Sequence, residues 1–380
     1  MSDRDLDLVL LGATGFTGRL TAGYLASRLQ GTSTRWAIAG RDRGKLEAVA
    51  EGLPVTPEIE VVDVDDLVGL VQLAERTRVL ASTVGPYIRR GELVVQACVR
   101  AGTHYADITG EPAFVDLVRD RYDGDAKEHG SKVVNCCGFE SVPPDLGTRY
   151  TVGHLPDDAP LVVRGYVRAQ GRPSGGTALT TLDLAASRRF PRTATATSGV
   201  RRAVALPPRI HRSSALDAYG IPLPTIDTSI VLRSARVLEG YGSAFRYGYY
   251  ARVKRLPTAI AGIGALGAGA ALASFGPTRA ALARLLPRSG EGPDASTREE
   301  SWFEITFVGQ GAGRQVVTRV SGGDPGYDAT SRMLGEAMLA LAAGDGPDVA
   351  GVLTPAVGLG SAYEARLVNH ALTFELLAVH

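Results

Sequence analysis

The sequence predicts an α/β protein with an N-terminal doubly wound domain and a second α+β domain built on a mixed sheet. Two patterns predict the first domain: short apolar runs alternate with amphipathic segments, and a glycine-rich turn joins the first run to the first amphipathic segment. The third observation is length, because 380 residues exceed what one hydrophobic core usually supports. We therefore expect two cores.

Six apolar runs in the first part of the chain are predicted to be strands. The predicted strands are 7–11, 36–39, 59–62, 79–83, 104–108 and 132–136, and the predicted helices between them include 17–29, 43–51, 65–74, 91–101 and 113–129. Strands of a parallel sheet are buried on both faces, so they appear as continuous apolar runs. The first domain is therefore placed at residues 1–147.

The turn after the first predicted strand contains three glycines in the spacing GxxGxxG. A first glycine permits a tight turn, and later ones let the backbone approach a pyrophosphate at the positive end of the helix dipole. Glycine also occurs in tight turns without a ligand, but the position between a strand and a helix favours a dinucleotide-binding Rossmann domain. The candidate cofactor-binding residues in this turn are Gly12, Thr14, Gly15, Phe16, Thr17 and Gly18.

The end of the second predicted strand indicates which nicotinamide cofactor is bound. Enzymes that use NAD commonly place an acidic residue there, whereas this chain reads Gly40-Arg41-Asp42-Arg43. An arginine can pair with the 2′-phosphate of NADPH, so Arg41 favours that cofactor. The alternative is that Arg41 and Arg43 are the solvated start of a helix.

Ligands of doubly wound sheets bind at the carboxyl ends of the strands, which adds further candidates. Asp63 ends the third predicted strand, where the adenine edge is often contacted. The remaining candidate cofactor-binding residues follow the fourth strand and are Thr83, Val84, Gly85 and Pro86.

Six motifs together carry a resemblance to a known group of proteins. They are GATGFTG at 12–18, AGRD at 39–42, TVGPY at 83–87, YADITGE at 105–111, NCCGFESVPPDLG at 135–147 and AGVLTPAVGLG at 350–360. The chain resembles the saccharopine dehydrogenase-like superfamily and, within it, the trans-acting enoyl reductases of polyketide lipid biosynthesis. The resemblance implies NADPH-dependent reduction of a carbon–carbon double bond in an acyl thioester held on a carrier protein or polyketide synthase.

Enoyl reduction needs a proton donor beside the hydride source, so donors near the strand ends are the catalytic candidates. Tyr87 is the first choice, with packing against the cofactor as the alternative. Glu140 and Ser141, after the sixth strand, form the second candidate group. Asp107 and Glu111 are weaker candidates because each could cap the helix that follows them.

The second domain is placed at 148–350, and residues 351–380 are predicted to contain a helix that returns towards the first domain. The predicted elements are a strand at 160–169, a helix at 174–188, mostly loop over 190–228, a hairpin of 301–308 with 314–321, and helices at 326–343 and 361–377. Tyr250 and Lys254 match the Tyr-x-x-x-Lys pair of short-chain dehydrogenases, but they lie far outside the nucleotide domain, so we interpret the match as chance.

An apolar segment at 256–275 leaves three alternatives open: a membrane span, a buried helix, and an interfacial or lipid-channel helix. Glycine and alanine fill most of it, which argues against a span. Aromatic and basic residues precede it, a mixture that suits a membrane headgroup boundary or aromatic core packing. Peripheral membrane contact through 241–275 is therefore an open expectation.

Composition excludes several other classes of function. A net charge of +1 gives no electrostatic footprint for nucleic acid, and the three cysteines, which lack metal-ligand spacing, predict neither disulfides nor a metal site. Residues 1–8 lack the pattern of a secretion signal, so we expect a cytoplasmic protein, with peripheral attachment at the inner face of the cell membrane left open. A homodimer is also left open. The alternative functions are an imine-reducing amino-acid dehydrogenase and a non-catalytic nucleotide-binding adaptor at a membrane or synthase.

Overall fold

Short buried strands alternate with helices in the first part of the chain, and longer strands dominate the second part. The computed structural model describes residues 4–171, 202–255, 257 and 292–380. In chain order the described elements are β1 (Leu6–Leu11), α1 (Phe16–Arg28), β2 (Trp36–Gly40), α2 (Arg43–Ala50), β3 (Glu58–Val61), α3 (Leu67–Glu75), β4 (Thr77–Ser82), α4 (Tyr87–Arg90), α5 (Glu92–Ala101), β5 (His104–Asp107), α6 (Pro112–Glu128), β6 (Lys132–Val134), α7 (Val142–Val152), β7 (Leu161–Gln170), β8 (Arg202–Ala205), β9 (His211–Ser213), β10 (Ala218–Pro222), α8 (Asp227–Val237), β11 (Ala244–Val253), α9 (Ala295–Glu299), β12 (Trp302–Gly311), β13 (Arg314–Gly322), α10 (Asp328–Ala343), β14 (Gly351–Leu353), α11 (Pro355–His370) and β15 (Thr373–Val379).

Within the described residues, seven parallel strands form one sheet in the order β14-β6-β5-β4-β1-β2-β3. β1, β2 and β4 are almost wholly buried, as strands with helices on both faces must be. The strand order reverses beside β1, so the loops after β1 and β4 flank the switch point where such sheets bind ligands. This compact unit, unit 1, comprises residues 1–139, 289–292 and 326–371.

A second, mixed sheet forms the core of unit 2, which comprises residues 140–288, 293–325 and 372–380. Its strands follow the order β15-β13-β12-β7-β11-β10-β9, and β8 pairs with β11 off this path. β11 runs parallel to β7 and β8 but antiparallel to β10. The predicted fold class, a doubly wound domain with a second mixed-sheet domain, is thus confirmed.

The two faces of β11 differ in a way that shapes unit 2. Successive strand residues point to opposite faces, so Phe245, Tyr247 and Tyr249 share one face while Arg246 and Tyr250 share the other. All four aromatic side chains named here are buried. On the first face lie α7 and α8, which pack against each other. On the second face the Arg246 side chain is exposed, whereas the Tyr250 ring is buried.

Several elements differ from the sequence prediction. The helix predicted at 361–377 ends at His370, and β15 follows because its backbone pairs with β13. The described part of the predicted loop at 190–228 contains β8, β9 and β10, which exist through pairing with β11 and with each other. The sequence analysis missed β14, a strand of three residues. Tertiary pairing, which leaves little trace in local periodicity, accounts for each difference.

The predicted hairpin is confirmed, with β12 and β13 paired in antiparallel register. The sequence places the domain boundary at residue 147, whereas the first segment of unit 1 ends at Phe139 and the unit continues with residues 289–292 and 326–371. The predicted helix at 174–188 and the apolar segment at 256–275, apart from Pro257, lie outside the described residues. Among the described helices, none has both the length and the apolar character that a membrane span requires.

Candidate functional site

The glycine turn after β1 is folded so tightly that side chains at two of its positions would collide with the backbone of the turn or with the loop after β4. Gly12 has a φ of 91°, and a Cβ there would lie 2.7 Å from Thr83 Oγ1. A Cβ at Gly18 would lie 2.2 Å from the carbonyl oxygen of Gly12. The turn therefore forms a close-packed cradle between β1 and α1, as a pyrophosphate site requires.

The amino end of α1 faces this turn, and its own first turn carries neither a capping side chain nor an acidic residue. Gly15 occupies the N-cap position, no side chain caps the helix, and no acidic residue lies in its first turn. Thr14, Phe16 and Thr17 are half-buried. The positive end of the α1 dipole is thus available to an anionic ligand.

Arg19 adds a positive charge that the sequence analysis missed. Its guanidinium donates a hydrogen bond of 2.7 Å to the carbonyl oxygen of Thr14 and lies 5.8 Å from the centre of the Phe16 ring. The Phe16 ring also contacts Tyr327 edge to face, with the ring centroids 4.6 Å apart. Arg19 lies one helical turn after Gly15, and this spacing is the signal that could have identified it.

The loop after β4 is joined directly to the glycine turn. Thr83 donates its backbone N–H to the carbonyl oxygen of Leu11 at 2.9 Å, and its hydroxyl lies 3.1 Å from the carbonyl oxygen of Gly12. Val84 donates its N–H to the hydroxyl of Ser82 at 3.2 Å. The structure therefore brings the two predicted cofactor-binding segments, 12–18 and 83–86, into contact.

Glu111 holds the other side of the same loop. Its two carboxylate oxygens accept the backbone N–H groups of Tyr87 and Ile88, at 2.8 and 3.0 Å. Glu111 occupies the N-cap position of α6, but its side chain does not cap that helix. The predicted capping of α6 by Glu111 is therefore wrong, because the carboxylate caps α4 instead and so fixes the segment after Gly85 and Pro86.

Tyr87, the first catalytic candidate, is 6% exposed and packs against Phe114 with a ring separation of 5.7 Å. Its hydroxyl donates a hydrogen bond of 2.9 Å to the carbonyl oxygen of Ser82. Burial, with a smaller effect from Asp107, raises the pKa of Tyr87 well above its ordinary value. These contacts support a packing role, and the catalytic role of Tyr87 stays a prediction.

Asp107 is buried at the end of β5 and orders the loop after β6. Its carboxylate accepts hydrogen bonds from Asn135 Nδ2 at 2.7 Å, the Cys136 N–H at 2.9 Å and the Thr109 N–H at 3.1 Å. Burial raises the pKa of Asp107 to about 6, although these hydrogen bonds favour the charged form. Asp107 thus caps no helix and holds the strand ends in place.

The charged residues in the segment after β2 have different roles. Asp42 accepts the N–H of Lys45 at 3.1 Å, which caps α2, and its carboxylate lies 3.4 Å from Lys45 Nζ. Arg41 is exposed, and within the described residues no hydrogen bond or ion pair of its side chain is found. After β3, Asp63 accepts the N–H of Asp65 at 3.1 Å. The acidic residue is therefore engaged locally, while Arg41 is free to meet a ligand.

A second group of polar residues lies within unit 2 and includes the other catalytic candidates. Glu140 is half-buried, and Ser141, the N-cap residue of α7, is buried with no hydrogen-bond partner for its hydroxyl among the described residues. Asp227 begins α8 and is 2% exposed. Tyr247 and Tyr249 of β11 are buried and interact electrostatically with Asp227.

The surroundings of Asp227 keep it protonated near neutral pH. Burial is the main cause that raises its pKa to about 8, and the negative charge of Glu140 raises it further. Burial likewise raises the pKa of Tyr247 and of Tyr249 well above the ordinary value. This group, defined as Glu140, Asp227, Tyr247 and Tyr249, is called the acid cluster here. It can store and release a proton.

Sequence reasoning missed Asp227 and left the tyrosines of β11 open between a membrane headgroup boundary and aromatic core packing. Their spacing of two in a strand was the available signal, because it puts Tyr247 and Tyr249 on one face. Both are buried, so the described residues from 241 to 255 offer their aromatic rings to the core of unit 2. Membrane contact through 241–275 stays a prediction. Among the described residues, no group of three or more metal-binding side chains is found.

Comparisons with known proteins agree with this geometry. The family described as the saccharopine dehydrogenase NADP binding domain matches residues 8–134. A Mycobacterium tuberculosis protein provisionally named a trans-acting enoyl reductase is 36% identical over 414 residues, covering 96% of each chain. The trans-acting enoyl reductase of Mycobacterium ulcerans is 31% identical over 426 residues, covering 100% of this chain and 99% of the other.

A solved structure is similar over almost the whole chain. Saccharopine dehydrogenase from Saccharomyces cerevisiae, the L-Glu forming enzyme in its apo state, superimposes with a TM-score of 0.57. The alignment covers 98% of this chain and 100% of that one at 13% identity. At this identity the similarity shows a shared fold. The NADP-binding match supports an NADP-dependent oxidoreductase, and it agrees with the cradle between β1 and α1.

Proposed function

The chain belongs to the trans-acting enoyl reductase family of saccharopine dehydrogenase-like proteins, and on this premise we propose that it reduces the carbon–carbon double bond of an enoyl thioester with NADPH. The acyl chain would be delivered on a carrier protein or a polyketide synthase. The observation that carries the proposal is the cradle made by Gly12, Gly18 and Thr83, beside which Arg41 stands exposed.

The residues of unit 1 fit an NADPH molecule. The turn at 12–18 and the start of α1 would hold the pyrophosphate, and Arg41 would pair with the 2′-phosphate. The fixed loop after β4, tied to Leu11 and Glu111, would border the nicotinamide end. Bound NADPH would supply the hydride for the reduction.

The acid cluster would supply the proton. Reduction of an enoyl thioester needs one proton at the carbon next to the carbonyl group, and the donor must be protonated at working pH. Asp227 meets this condition because its pKa lies near 8. Glu140 lies in the loop between β6 and α7, and its negative charge raises the pKa of Asp227. We assign proton delivery to Asp227, the proton store, and Glu140 is the neighbouring carboxylate whose negative charge helps to keep that store protonated.

The direct test uses purified protein, NADPH and an enoyl N-acetylcysteamine thioester. The expected result is loss of NADPH absorbance together with a product heavier by two hydrogens. With NADPH deuterated at C4, one deuterium should appear at the β-carbon. In heavy water with unlabelled NADPH, one should appear at the α-carbon.

Parallel reactions separate the alternative functions. NADPH consumption only with a 2-oxo acid and an amine would overturn the proposal in favour of an imine-reducing dehydrogenase. Tight NADPH binding with no turnover of any acyl substrate, even with a synthase present, would overturn it in favour of a non-catalytic adaptor.

A further inference from the structure

The hydroxyl of Ser141 is buried, but it cannot cap the helix that follows it. Ser141 is the N-cap residue of α7 and is 1% exposed. An N-cap serine usually accepts a hydrogen bond from the backbone N–H of the second or third helical residue. In α7 these residues are Pro143 and Pro144, which have no N–H to donate. The side chain of Ser141 therefore makes no capping hydrogen bond with α7.

The same hydroxyl has no hydrogen-bond partner elsewhere among the residues that the structure describes. A buried hydroxyl without a partner destabilises the folded state, because it has given up its hydrogen bonds to water. Alanine at position 141 would avoid this destabilisation and would lose no capping hydrogen bond. The Ser141 hydroxyl is thus a donor that the folded chain does not use and that a bound acceptor could receive.

Ser141 lies beside the acid cluster, within unit 2. It directly follows Glu140, whose negative charge acts on both Asp227 and Tyr249. Asp227 is the first residue of α8, and α7 and α8 pack against each other. The amino ends of these two helices are therefore close together, with Ser141 at one and Asp227 at the other.

The sheet behind the acid cluster leaves room for its two tyrosines. A Cβ at Gly165 of β7 would lie 2.9 Å from Tyr249 Cδ2 and 3.0 Å from the Tyr247 hydroxyl oxygen, so glycine there accommodates both side chains. Tyr247 is fully buried, and Tyr249 is 6% exposed. These rings exclude water from one side of the acid cluster, and a hydrogen bond to a negative charge is stronger in such a place than in water.

We propose that the Ser141 hydroxyl donates a hydrogen bond to the carbonyl oxygen of the acyl thioester and stabilises the negative charge that forms there. The proposal rests on the proposed function and deepens it, because enoyl reduction places a negative charge on that oxygen. The α-carbon, which receives the proton, is bonded to the carbonyl carbon. The two donors must therefore lie close together, and Ser141 is the unused buried donor beside Asp227.

The reaction step uses both donors in sequence. When the hydride adds to the β-carbon, the electron pair of the carbon–carbon double bond shifts to give an enolate, whose oxygen accepts the hydrogen bond from Ser141. Asp227 then gives its proton to the α-carbon, and the carbonyl group forms again. Solvent returns a proton to the Asp227 carboxylate. Ser141 keeps its own proton throughout.

The first test measures activity and stability of Ser141→Ala in the full chain. This variant should lower kcat for the enoyl N-acetylcysteamine thioester by about 100- to 1000-fold, the range for loss of one such donor, with little change in KM. Its midpoint of urea unfolding should equal that of the wild-type protein or lie higher, because the hydroxyl that is removed has no partner among the described residues.

Ser301→Ala is the matched control. Ser301 is 5% exposed, belongs to unit 2 and donates its hydroxyl to the carbonyl oxygen of Thr297 at 2.7 Å. The control removes the same group from a buried position, so it should lower the urea midpoint and leave kcat unchanged. A serine with only a structural role would lose stability in this way, whereas Ser141→Ala is expected to lose activity alone.

A second test does not depend on turnover. Acetoacetyl-N-acetylcysteamine ionises to an enolate that absorbs in the near ultraviolet, and it is bound together with NADP⁺ in place of the substrate. The ratio of enolate to keto form in the bound compound should be about 10- to 100-fold lower in Ser141→Ala than in wild type, since a hydrogen bond to a charged group contributes on that scale. Ser301→Ala should match wild type.

An unchanged kcat in Ser141→Ala would overturn the proposal, and so would an enolate ratio equal to that of wild type. Loss of the enolate form in Tyr249→Phe but not in Ser141→Ala would assign the carbonyl oxygen to the tyrosine instead. Failure of the proposed function is read separately, because it appears in the wild-type protein as a failure to reduce the enoyl thioester. Failure of this inference alone leaves the wild-type protein active.

Discussion

Replacing Asp227 with asparagine should remove a pH-dependent loss of unfolding free energy from unit 2. Burial raises the pKa of Asp227 from 3.8 to about 8, so the folded state holds a proton that the unfolded state has lost. Stability then falls as pH rises between these two values, because the folded state binds more protons. Asparagine has a similar shape and carries no charge at any of these pH values.

The size of the effect follows from the two pKa values. In this window each pH unit costs about 1.4 kcal/mol of unfolding free energy for one such group. From pH 6 to pH 8 the wild-type protein should therefore lose about 2 kcal/mol relative to Asp227→Asn, the loss levelling off as the folded carboxyl ionises. All other titrating groups are common to both proteins, so the difference isolates Asp227.

Urea unfolding followed by tryptophan fluorescence can measure this difference. The chain has two tryptophans: Trp36 lies in β2 of unit 1, and Trp302 lies in β12 of unit 2. A Trp36→Phe background in every protein makes the emission report on unit 2. Asp217→Asn is the control, because it removes an exposed carboxylate. The backbone of residue 217 has a positive φ, which asparagine tolerates. It should follow the wild-type pH dependence.

A constant stability difference between Asp227→Asn and wild type from pH 6 to pH 8 would refute this reasoning. It would mean that Asp227 is ionised in the folded state throughout this range, as it is in the unfolded state. Such a carboxyl could not act as the proton store of the acid cluster, and the assignment of proton delivery would fall with it.

Four further predictions concern the cofactor site and the reaction. Arg41→Gln should raise the KM for NADPH by about 10- to 100-fold and leave that for NADH nearly unchanged, through loss of the 2′-phosphate pair; equal effects on both cofactors would contradict this. Gly18→Ala should abolish NADPH binding in calorimetry, because the new Cβ would lie 2.2 Å from the Gly12 carbonyl oxygen. Glu111→Gln should weaken NADPH binding by about tenfold by giving up one of two acceptors that hold α4; an unchanged Kd would show that the loop after β4 is not part of the site. Asp227→Asn should lower kcat by about 100-fold or more with little change in KM, and retention of kcat would exclude its role in proton supply.

The strands of the first sheet could be predicted from the sequence because buried strands consist of continuous runs of apolar residues. Leu8 to Leu11 and Ala37 to Ala39 are wholly or almost wholly buried, and runs of this kind can only be central strands between helices. The glycine turn could also be predicted from the sequence, since Gly12 and Gly18 are positions where a side chain does not fit. A position where only glycine fits can therefore be recognised from the sequence.

The short strands and the tertiary contacts could not be predicted from local sequence in this way. β8, β9 and β14 have three or four residues each, and they are strands only because β11, β10 and β6 pair with them. No local pattern of three residues distinguishes such a strand from a loop. The same limit hid the role of Glu111, whose two hydrogen-bond donors lie more than twenty residues earlier in the chain.

Asp107 and Asp227 show why the acid cluster needed the structure. Both carboxyls are buried, but Asp107 accepts three hydrogen bonds that favour its charged form, and its pKa rises only to about 6. Asp227 instead lies near the negative charge of Glu140, and its pKa rises to about 8. The hydrogen bonds of Asp107 offset the cost of burying its charge and order the loop after β6. The environment of Asp227 instead disfavours its charged form, and a buried acid with a strongly raised pKa is a candidate proton donor, which the kcat of Asp227→Asn tests.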